Sequence, residues 1–495
     1  MSRETSEGRL LREILNREEP MKNRDRLQIP PQDMPQQDPQ VRGRNIEEVA
    51  LGYTEEQARL EALRCLQCKN APCVEGCPVR IDIPGFVREI AQGSFREAAA
   101  IIKRNSLLPA VCGRVCPQEV QCQLHCTVGK SLKDVLKSVA VGRLERFVAD
   151  RERESGDPAV PEVKPVTGKR VAVIGSGPAG LVAAADIRRE GHEVVMFEAF
   201  HKPGGVMVYG IPEFRLPKRI VQKEIDTLIA MGVEVRCNFV VGKTRKLTAL
   251  LEEDGFDAAF IGTGAGLPRF LRIEGENLVG VFSANEYLTR TNLMKAYDRG
   301  RADTPLYPSR RVAVLGGGNV AMDSARMALR LGAEEVTVVY RRTEVEMPAR
   351  VEEVERAKEE GINFHLLENA KRILGDEKGR VRAMECLCYE LGEPDDSGRR
   401  RPVPIQGSEF LMELDTVIVA IGNDSNPLIK QTTPEIETNR WGNIIADESG
   451  KTSLDRVYAG GDIVLGAATV ILAMGQGRTA AESINRLLEG VLSES

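Results

Sequence analysis

Aromatic residues and histidines are scarce in this sequence, and long apolar segments are missing. Aromatic residues make up 4% of the 495 residues, with a single tryptophan, and the four histidines are too scattered for a histidine-based catalytic metal centre. The longest apolar stretch, 171–187, is interrupted by Gly-Ser-Gly-Pro, and the first 20 residues lack the apolar core of a secretory signal. We therefore expect a cytoplasmic protein without a membrane span.

An excess of basic charge is missing as well. The 68 Lys and Arg residues face 73 Asp and Glu residues, for a net charge of −5, so we expect no nucleic-acid-binding surface. Glycine and cysteine are plentiful instead, with 46 and 11 residues. A chain of this length is expected to form about two to four domains. In a cytoplasmic protein, so many cysteines indicate metal ligation rather than disulfides.

Eight of the cysteines form two closely spaced groups. The groups read Cys65-x2-Cys68-x4-Cys73-x3-Cys77-Pro and Cys112-x3-Cys116-Pro-x4-Cys122-x3-Cys126. Cysteine runs followed by proline are typical of iron–sulfur proteins. Structural zinc sites usually show two C-x2-C pairs, and only one occurs here, so zinc is the weaker alternative. The spacing predicts two [4Fe–4S] clusters, and by itself it nominates Cys112 along with the other cysteines.

A strand, a glycine-rich turn and a helix follow one another at 169–199. In such a βαβ unit one glycine allows a tight turn, one lets a pyrophosphate approach, and one lets the helix pack on the strand. These roles fall to Gly175, Gly177 and Gly180, and the helix N-terminus offers free N–H groups to the phosphates. Glu198 ends the second strand, where it can accept hydrogen bonds from a ribose. The unit predicts a dinucleotide site.

Two later stretches narrow that dinucleotide to FAD. The strand AAFIGTG ends at Gly264, and VYAGGDI places Gly461 and Asp462 after another strand, just before a further helix begins. An aspartate there can bond the ribityl or pyrophosphate part of FAD, and the helix N-terminus can stabilise negative charge on a reduced flavin. An ordinary turn is the alternative. The residues predicted to bind FAD from these motifs are Gly175, Gly177, Pro178, Ala179, Gly180, Glu198, Gly264, Gly461, Asp462, Ala468, Thr469 and Val470.

A second βαβ unit occupies 310–342 and carries the pattern G-x-G-x-x-A. Its second strand ends in Arg341 and Arg342 where the first unit has an acid. Guanidinium groups bind a 2′-phosphate that an acid would repel, so the unit predicts NADP rather than NAD. The alternative is that the two arginines form a solvated charge pair. The predicted NADP-binding residues are Gly316, Gly318, Asn319, Val320, Ala321, Arg341 and Arg342.

The motifs divide the chain into predicted segments. Residues 151–168 are rich in proline and charge, which predicts a linker before the first nucleotide unit. The two nucleotide units are similar to each other, which predicts two dinucleotide-binding domains. The predicted segments are 1–50 (an N-terminal arm), 51–165 (a helical domain with two [4Fe–4S] clusters), 166–300 and 431–495 (two parts of an FAD-binding domain) and 301–430 (an NADP(H)-binding domain).

Together the segment order and motifs resemble the glutamate synthase small-subunit family. The resemblance rests on the cysteine spacing, GSGPAG, GGVMVYGIPEFRLPK at 204–218, GGGNVAMD and AGGD. That family also includes the large subunit of the electron-bifurcating NADH-dependent reduced ferredoxin:NADP oxidoreductase and the N-terminal part of dihydropyrimidine dehydrogenase. RCLQCKNAPCVEGCPV and CGRVCPQEVQC look like the single-chain glutamate synthase and bifurcating branch in particular.

The resemblance implies a fold and a set of ligands. The fold is α/β, with two Rossmann-like domains for FAD and NADP of the pyridine nucleotide-disulfide reductase type and an N-terminal α-helical iron–sulfur domain. Gly204 and Gly205 are implied to bind FAD, and Cys112 becomes a bystander. The implied ligands are Cys65, Cys68, Cys73 and Cys126 for one cluster and Cys77, Cys116, Cys122 and Glu145 for the other.

The expected activity moves electrons between NADP(H) and a partner redox centre, without a catalytic nucleophile or general base. We favour the role of the bifurcating large subunit, with a flavin and [2Fe–2S] subunit as partner and ferredoxin as a further one. The alternative is an NADPH-dependent glutamate synthase small subunit that works with a large subunit. An oligomer is expected in either case. A zinc-bearing scaffold that is not an enzyme is a third possibility, and it predicts a colourless protein without flavin.

Overall fold

The computed structural model describes residues 5–17, 19–156, 160–395 and 398–490. Its first part is helical, and Thr54 caps one of its helices, because the Thr54 side chain accepts a hydrogen bond from Gln57 N. Residues 157–159 of the predicted linker lie outside the described residues. The helices of this part are α1 (Ser6–Leu15), α2 (Asn23–Gln28), α3 (Pro39–Arg42), α4 (Glu55–Leu63), α5 (Pro72–Glu75), α6 (Ile83–Gln92), α7 (Phe95–Lys103), α8 (Pro109–Val115), α9 (Thr127–Leu132) and α10 (Val141–Glu154), with 3-10 turns at Gln118–Val120 and Val135–Lys137.

From residue 170 onward, strands and helices alternate. The strands are β1 (Arg170–Ile174), β2 (Glu193–Phe197), β3 (Glu234–Arg236), β4 (Ala258–Ile261), β5 (Leu267–Pro268), β6 (Val281–Ser283), β7 (Arg311–Leu315), β8 (Glu335–Tyr340), β9 (Asn363–Leu366), β10 (Glu368–Gly375), β11 (Val381–Pro394), β12 (Arg400–Pro404), β13 (Phe410–Glu413), β14 (Thr416–Val419), β15 (Asn423–Asp424) and β16 (Val457–Ala459). The helices are α11 (Pro178–Arg189), α12 (Val206–Tyr209), α13 (Lys218–Ala230), α14 (Leu247–Glu252), α15 (Ala284–Leu288), α16 (Asn319–Arg330), α17 (Val351–Glu359), α18 (Leu428–Thr432), α19 (Asp462–Leu465) and α20 (Val470–Leu488), with a π turn at Thr289–Leu293 and a 3-10 turn at Glu344–Glu346.

The first nucleotide unit builds a parallel sheet in the order β16-β4-β1-β2-β3. Strands β1 and β4 are almost wholly buried, which explains their continuous apolar sequence. The chain leaves this sheet after β4 and returns to it only with β16. The VYAGGD segment therefore lies beside the AAFIGTG strand although nearly 200 residues separate them in sequence.

The second nucleotide unit builds another parallel sheet, β6-β14-β7-β8-β9, next to an antiparallel group of β10 to β13. Strand β6 belongs to this sheet, so the second unit begins before the predicted boundary at residue 300. A strand of three residues carries almost no periodic signal in the sequence. The segment boundaries given above stay predictions.

A buried ion-pair network joins the two nucleotide units. Arg215, in the 204–218 stretch, donates to both carboxylate oxygens of Asp323 at 2.7 Å and lies 3.4 Å from Glu353. All three side chains are at least 95% buried. Removing one partner of such a buried pair typically costs about 3–5 kcal/mol of folding free energy, so the network holds the two units in one arrangement.

Helix α20 packs on the first helix of the FAD-type unit, α11, and also contacts α8 of the N-terminal part. One hydrophobic core continues across these elements, from Val111 and Leu144 to Leu181, Ile225 and Met474. The cysteine-rich segment and the first nucleotide unit thus share a core. None of the described helices is both long enough and apolar enough to cross a bilayer.

Candidate functional site

In the first glycine-rich loop, close contacts within the protein require two of the glycines, and the third faces open space. Gly175 has φ +97°, and a Cβ atom there would lie 2.5 Å from Gly262 O. A Cβ atom on Gly180 would lie 1.9 Å from Gly175 O, so the helix packs on the loop only with glycine at this position. Gly177 has an extended backbone, and its Cβ would meet nothing within 4 Å. The protein itself does not require glycine at 177, and the open space fits a ligand that approaches the backbone closely.

Glu198 orders this loop from the end of β2. Its Oε2 accepts hydrogen bonds from the backbone N–H and the hydroxyl of Ser176, and its Oε1 accepts one from Phe200 N at 2.8 Å. The Ser176 hydroxyl in turn accepts a hydrogen bond from Gly204 N at 2.9 Å. Glu198, the predicted ribose acceptor, therefore contacts the glycine-rich loop, and its carboxylate holds the loop in shape through these hydrogen bonds. Sequence reasoning missed Ser176, although it stands inside the glycine motif.

The Gly204–Gly205 pair closes the other side of the loop. Gly204 has φ +123° and Gly205 has φ +55°, and a Cβ atom on Gly205 would lie 2.7 Å from Gly177 Cα. Next to the pair, burial raises the pKa of Tyr209 to about 12, with a contribution from the charges of Asp462 and Glu198. Tyr209 is thus within electrostatic range of the two predicted acids of the site. Tyr209 belongs to the 204–218 stretch, but the spacing of residues there does not mark it as a site residue.

The C-terminal segment at 461–470 lies against the first glycine-rich loop as well. Gly461 has φ +82°, and its Cβ position lies 2.9 Å from the Cβ of Ala179 at the start of α11. Burial raises the pKa of Asp462 to about 7, against the opposing effect of a hydrogen bond from the backbone of Ala468. At that pKa the carboxyl group can donate or accept a hydrogen bond near neutral pH. Thr469 caps α20 by accepting a hydrogen bond from Leu472 N at 3.3 Å.

Gly264, the remaining residue predicted from the FAD motifs, follows β4 with φ +70° and no protein atom near its Cβ position. The structure thus brings the loop at 175–180, Glu198, the Gly204–Gly205 pair and the segment at 461–470 to one place at the carboxyl end of the first sheet. The N-terminus of α11 has no side-chain cap at this place, so its N–H groups are available to a charged pyrophosphate, whereas Thr469 caps α20.

The second glycine-rich loop repeats the geometry of the first. Gly316 has φ +142°, and a Cβ atom there would lie 2.3 Å from Ala420 O. Gly318 faces open space, with its nearest neighbour, Pro348 Cγ, 3.9 Å from the Cβ position. In the first turn of α16, Ala321 is fully buried, whereas Val320 is 39% exposed. Asn319 is already engaged, because its Oδ1 accepts a hydrogen bond from Arg350 N at 3.0 Å.

The two predicted phosphate-binding arginines have different surroundings. The Arg342 guanidinium is 7% exposed and donates to Asp395 Oδ2 and to Arg400 O, both at 2.7 Å. It holds the β11–β12 hairpin against β8. Arg341 is exposed at the end of the same strand. As placed, Arg341 is available for a 2′-phosphate, whereas Arg342 would have to give up an ion pair.

The first cysteine group is a set of close electrostatic neighbours. Burial raises the pKa of the Cys65 thiol to about 11 and that of Cys73 to about 12, and the charges of Cys68 and Cys126 add to both shifts. Cys68 lies 3.2 Å from the hydroxyl of Thr127. Thiolates so close together and so poorly solvated need a positive centre to hold them, which fits an iron–sulfur cluster.

Cysteines from both groups are electrostatic neighbours of Glu145. Burial raises the pKa of Cys77 to about 11 and also raises that of Cys122, and in both cases the negative charge of Glu145 adds to the rise. Burial raises the pKa of Glu145 itself to about 8, and its Oε1 atom is buried without a hydrogen-bond partner. A buried carboxylate oxygen that lacks a donor fits a metal ligand.

Cys112 is buried among other partners. Its Sγ lies 3.4 Å from the sulfur of Met474 and 3.9 Å from the hydroxyl of Ser106. Within the described ranges, no three Cys, His, Asp or Glu side chains converge as the ligands of a single metal ion would.

The second cysteine group lies against α20, the C-terminal helix that Thr469 caps. Besides the contact between Cys112 and Met474, a Cβ atom on Gly475 would lie 3.0 Å from Pro78 O, and Gln121 Nε2 lies 3.5 Å from Thr469 Oγ1. Cysteines of the second group are buried, whereas Cys65, Cys68 and Cys73 are half-exposed. Three cysteines of the first group therefore lie nearer the surface than the cysteines that are buried next to α20.

Family comparisons agree with this division of the chain. Residues 42–157 match a model described as dihydropyrimidine dehydrogenase domain II, 4Fe-4S cluster, and residues 169–477 match the pyridine nucleotide-disulphide oxidoreductase model. The structure resembles that of Mycobacterium tuberculosis FprA in complex with NADPH, with a TM-score of 0.55, 20% identity, and coverage of 67% of this chain and 87% of FprA. At that identity the likeness concerns the fold alone.

Three relatives show how far the similarity extends. The Escherichia coli glutamate synthase [NADPH] small chain is 37% identical over 92% of this chain and 97% of its own length. The Moorella thermoacetica NADP(+)-dependent formate dehydrogenase subunit beta is 40% identical over 85% of this chain, and the Geobacter sulfurreducens NADPH-Fe(3+) oxidoreductase subunit beta is 38% identical over 85%. The chain spans only 60% and 64% of these two proteins.

These matches confirm several predictions. The fold class is confirmed, and so is the resemblance to glutamate synthase small chains. The chain is an NADPH-dependent oxidoreductase with FAD, NADP(H) and [4Fe–4S] iron–sulfur cofactors, so the scaffold alternative is wrong. The number of clusters and the individual binding residues stay predictions. The chain belongs to the pyridine nucleotide-disulphide oxidoreductase family, in the group that contains the NADPH-dependent glutamate synthase small chains.

Proposed function

We propose that this chain is the subunit that passes electrons between NADP(H) and a partner redox protein. The observation that carries the proposal is the contact of the second cysteine group with α20, the helix that begins shortly after the predicted FAD residues Gly461 and Asp462. FAD, when bound, would exchange hydride with the nicotinamide and single electrons with iron–sulfur centres. The cytoplasmic location predicted from the sequence belongs to the same proposal.

The chain's own residues bind and orient the carriers. The loops at 175–180 and 316–321 offer backbone N–H groups to two pyrophosphates, and Asp462 offers a carboxyl group whose pKa near 7 suits a hydrogen bond to FAD. The Arg215–Asp323 pair fixes the two nucleotide units relative to each other. Burial of Cys77 and Cys122 excludes water from the centre that we place next to FAD.

We assign the clusters as the family resemblance implies. Cys65, Cys68, Cys73 and Cys126 would hold the outer cluster, and Cys77, Cys116, Cys122 and Glu145 the inner one. The unpartnered Oε1 of Glu145 supports this choice over Cys112, whose thiol already has partners.

Replacing Glu145 and Cys112 in turn tests the fourth ligand. We expect Cys112→Ala to retain about eight irons per chain, as two [4Fe–4S] clusters require. Glu145→Ala removes the only oxygen ligand, so we expect the loss of about four irons or a changed electron paramagnetic resonance (EPR) spectrum of one cluster. Iron analysis and EPR of anaerobically purified protein make the measurement. Iron loss in Cys112→Ala together with full iron in Glu145→Ala would reverse the assignment.

Replacing Arg341 tests the preference for NADP. Because a charge-assisted hydrogen bond contributes about 1.5–3 kcal/mol, we expect Arg341→Ala to weaken NADP+ binding roughly 10- to 100-fold and NAD+ binding little. Arg342→Ala should mainly loosen the hairpin that Arg342 holds. Dissociation constants for both nucleotides, measured by fluorescence of the bound flavin, give the comparison. Equal losses for NADP+ and NAD+ in Arg341→Ala would contradict the assignment.

The partner is expected to approach the outer cysteine group. Cys65, Cys68 and Cys73 of this group are half-buried, and exposed lysines lie near its cysteines in sequence at positions 69, 130 and 133, on a chain whose net charge is −5. Such local positive charge favours an acidic electron-transfer partner, whose encounter it would accelerate. A flavin and [2Fe–2S] subunit with ferredoxin, as in the bifurcating enzymes, is the partner that we favour.

A glutamate synthase large subunit is the second candidate. It is favoured by the coverage of 97% of the Escherichia coli small chain. Anaerobic purification with native partners, followed by two assays, separates the roles. NADPH-driven formation of glutamate supports the glutamate synthase role, whereas reduction of NADP+ that requires NADH and reduced ferredoxin together supports the bifurcating one.

A further inference from the structure

The segment that precedes α17 lies across the second glycine-rich loop. Ala349 N donates to Gly317 O at 3.2 Å, and Arg350 N donates to Asn319 Oδ1 at 3.0 Å. Pro348 is the nearest neighbour of the open position at Gly318. A dinucleotide that enters this loop must therefore meet the backbone of residues 348–350.

The Arg350 side chain extends from this segment into the cysteine-rich part of the chain. Its Nη1 donates to Arg114 O and its Nη2 donates to Gln118 Oε1, both at 3.1 Å. Its Nη2 also lies 3.2 Å from Glu352, and its Nε lies 3.7 Å from Glu119 without forming a hydrogen bond. The side chain is 9% exposed. Arg350 thus makes a buried connection between elements that are 232 residues or more apart in sequence.

The residues that Arg350 holds flank a predicted cluster ligand. Arg114 and Gln118 stand two residues before and after Cys116, and Gln118 Nε2 reaches Cys112 O at 3.4 Å. The segment is tightly packed on α10, because a Cβ atom on Gly142 would lie 2.0 Å from Gln118 Nε2. Glu145 lies one turn further along that helix. A movement of Arg350 would therefore be transmitted to the surroundings of the inner cluster.

We propose that Arg350 is a positioning residue that couples occupancy of the NADP loop to the redox state of the inner iron–sulfur cluster. The inference rests on the proposed assignments of the NADP loop and of the inner cluster. Coupling between two sites is reciprocal, so NADP+ would shift the cluster's midpoint potential and reduction of the cluster would change the affinity for NADP+ by the same factor. Such a link would let the enzyme distinguish a loaded nucleotide site from an empty one.

The test is a redox titration of the holoprotein, followed by EPR, with and without saturating NADP+. Site-to-site couplings are typically about 5- to 150-fold, and each tenfold factor is about 59 mV for a one-electron centre. We expect a shift of this size in the unmodified protein and its loss in Arg350→Gln, with iron, FAD and NADP+ binding retained. Arg350→Lys, which keeps the charge but cannot make both hydrogen bonds, should retain part of the shift.

Arg310→Gln is the matched control, because Arg310 is an exposed arginine of the same nucleotide unit that pairs with Glu334. It should keep the full shift. Gln118→Met removes the acceptor from the opposite side and should reduce the shift even if Arg350→Gln folds poorly. An unmodified protein whose cluster potential is the same with and without NADP+ overturns the inference, as does a full shift in Arg350→Gln and Gln118→Met. A protein that binds no NADP+ or holds no inner cluster overturns the proposed function as well.

Discussion

Cys126→Ala is expected to lose one cluster, about four irons per chain, and with it the transfer of electrons to the partner. Cys126 comes from the second cysteine run but is an electrostatic neighbour of Cys65 and Cys73 in the first. Without it the outer cluster lacks a ligand, while FAD and the inner cluster keep all of theirs. Reduction of the flavin by NADPH should therefore remain close to that of the unmodified protein. Iron analysis, flavin absorbance and reduction of the partner measure the three effects separately.

A suitable control is Cys237→Ala, because Cys237 is half-buried and lies outside both cysteine groups. It should keep its iron and its activity with the partner. If Cys126→Ala retained all its iron, the assignment of the outer cluster would be wrong. If it lost flavin together with iron, the two sites would not be separable as proposed.

Gly177→Val is expected to abolish FAD binding in a protein that still folds. The Gly177 backbone is extended, with φ −69° and ψ −179°, which valine adopts easily, and its Cβ position is empty in the structure. The side chain would instead occupy the space proposed for the pyrophosphate. Forcing extra methyl groups into a packed site costs about 1–3 kcal/mol, and a close clash with phosphate costs more, so we expect at least a 10- to 100-fold loss of affinity.

The measurement is the flavin content of the purified protein together with its circular dichroism and thermal midpoint. Gly300→Val is the control, because Gly300 is exposed, lacks a positive φ, and also has an empty Cβ position. With FAD removed, both variants should melt like the unmodified apoprotein, and only Gly177→Val should be purified without flavin. A flavin-replete Gly177→Val protein would show that the cofactor lies elsewhere.

The features that the sequence predicts well are those that depend on local backbone requirements. Gly175 and Gly316 must adopt positive φ values next to a neighbouring strand, and only glycine does so without strain, so the motif reveals the turn. The helix cap at Thr54 is also a local feature, because its hydrogen-bond donor, Gln57 N, is only three residues away. The cysteine groups were equally clear, because thiolate ligands are placed a few residues apart.

The features that the sequence does not reveal depend on distant partners. Arg342 is engaged by Asp395, 53 residues further along, through a hairpin that no motif marks. The connection from Arg350 to Gln118 spans 232 residues and involves residues that no motif singles out. The ligand role of Glu145 came from family resemblance, and the structure adds the unpartnered oxygen that supports it. Spacing alone would have chosen Cys112, because spacing does not report which thiol faces the cluster.

The most direct test of the proposed electron route is to measure electron transfer from the reduced clusters to NADP+ in the isolated protein. The clusters are reduced anaerobically with dithionite, excess reductant is removed, and NADP+ is added while EPR follows the clusters and absorbance follows NADPH. The account predicts that both clusters are reoxidised as NADPH forms, one NADPH for every two electrons, and that flavin-free Gly177→Val shows neither change. Clusters that stay reduced after NADP+ is added to the flavin-replete protein would contradict a continuous route from nicotinamide to iron.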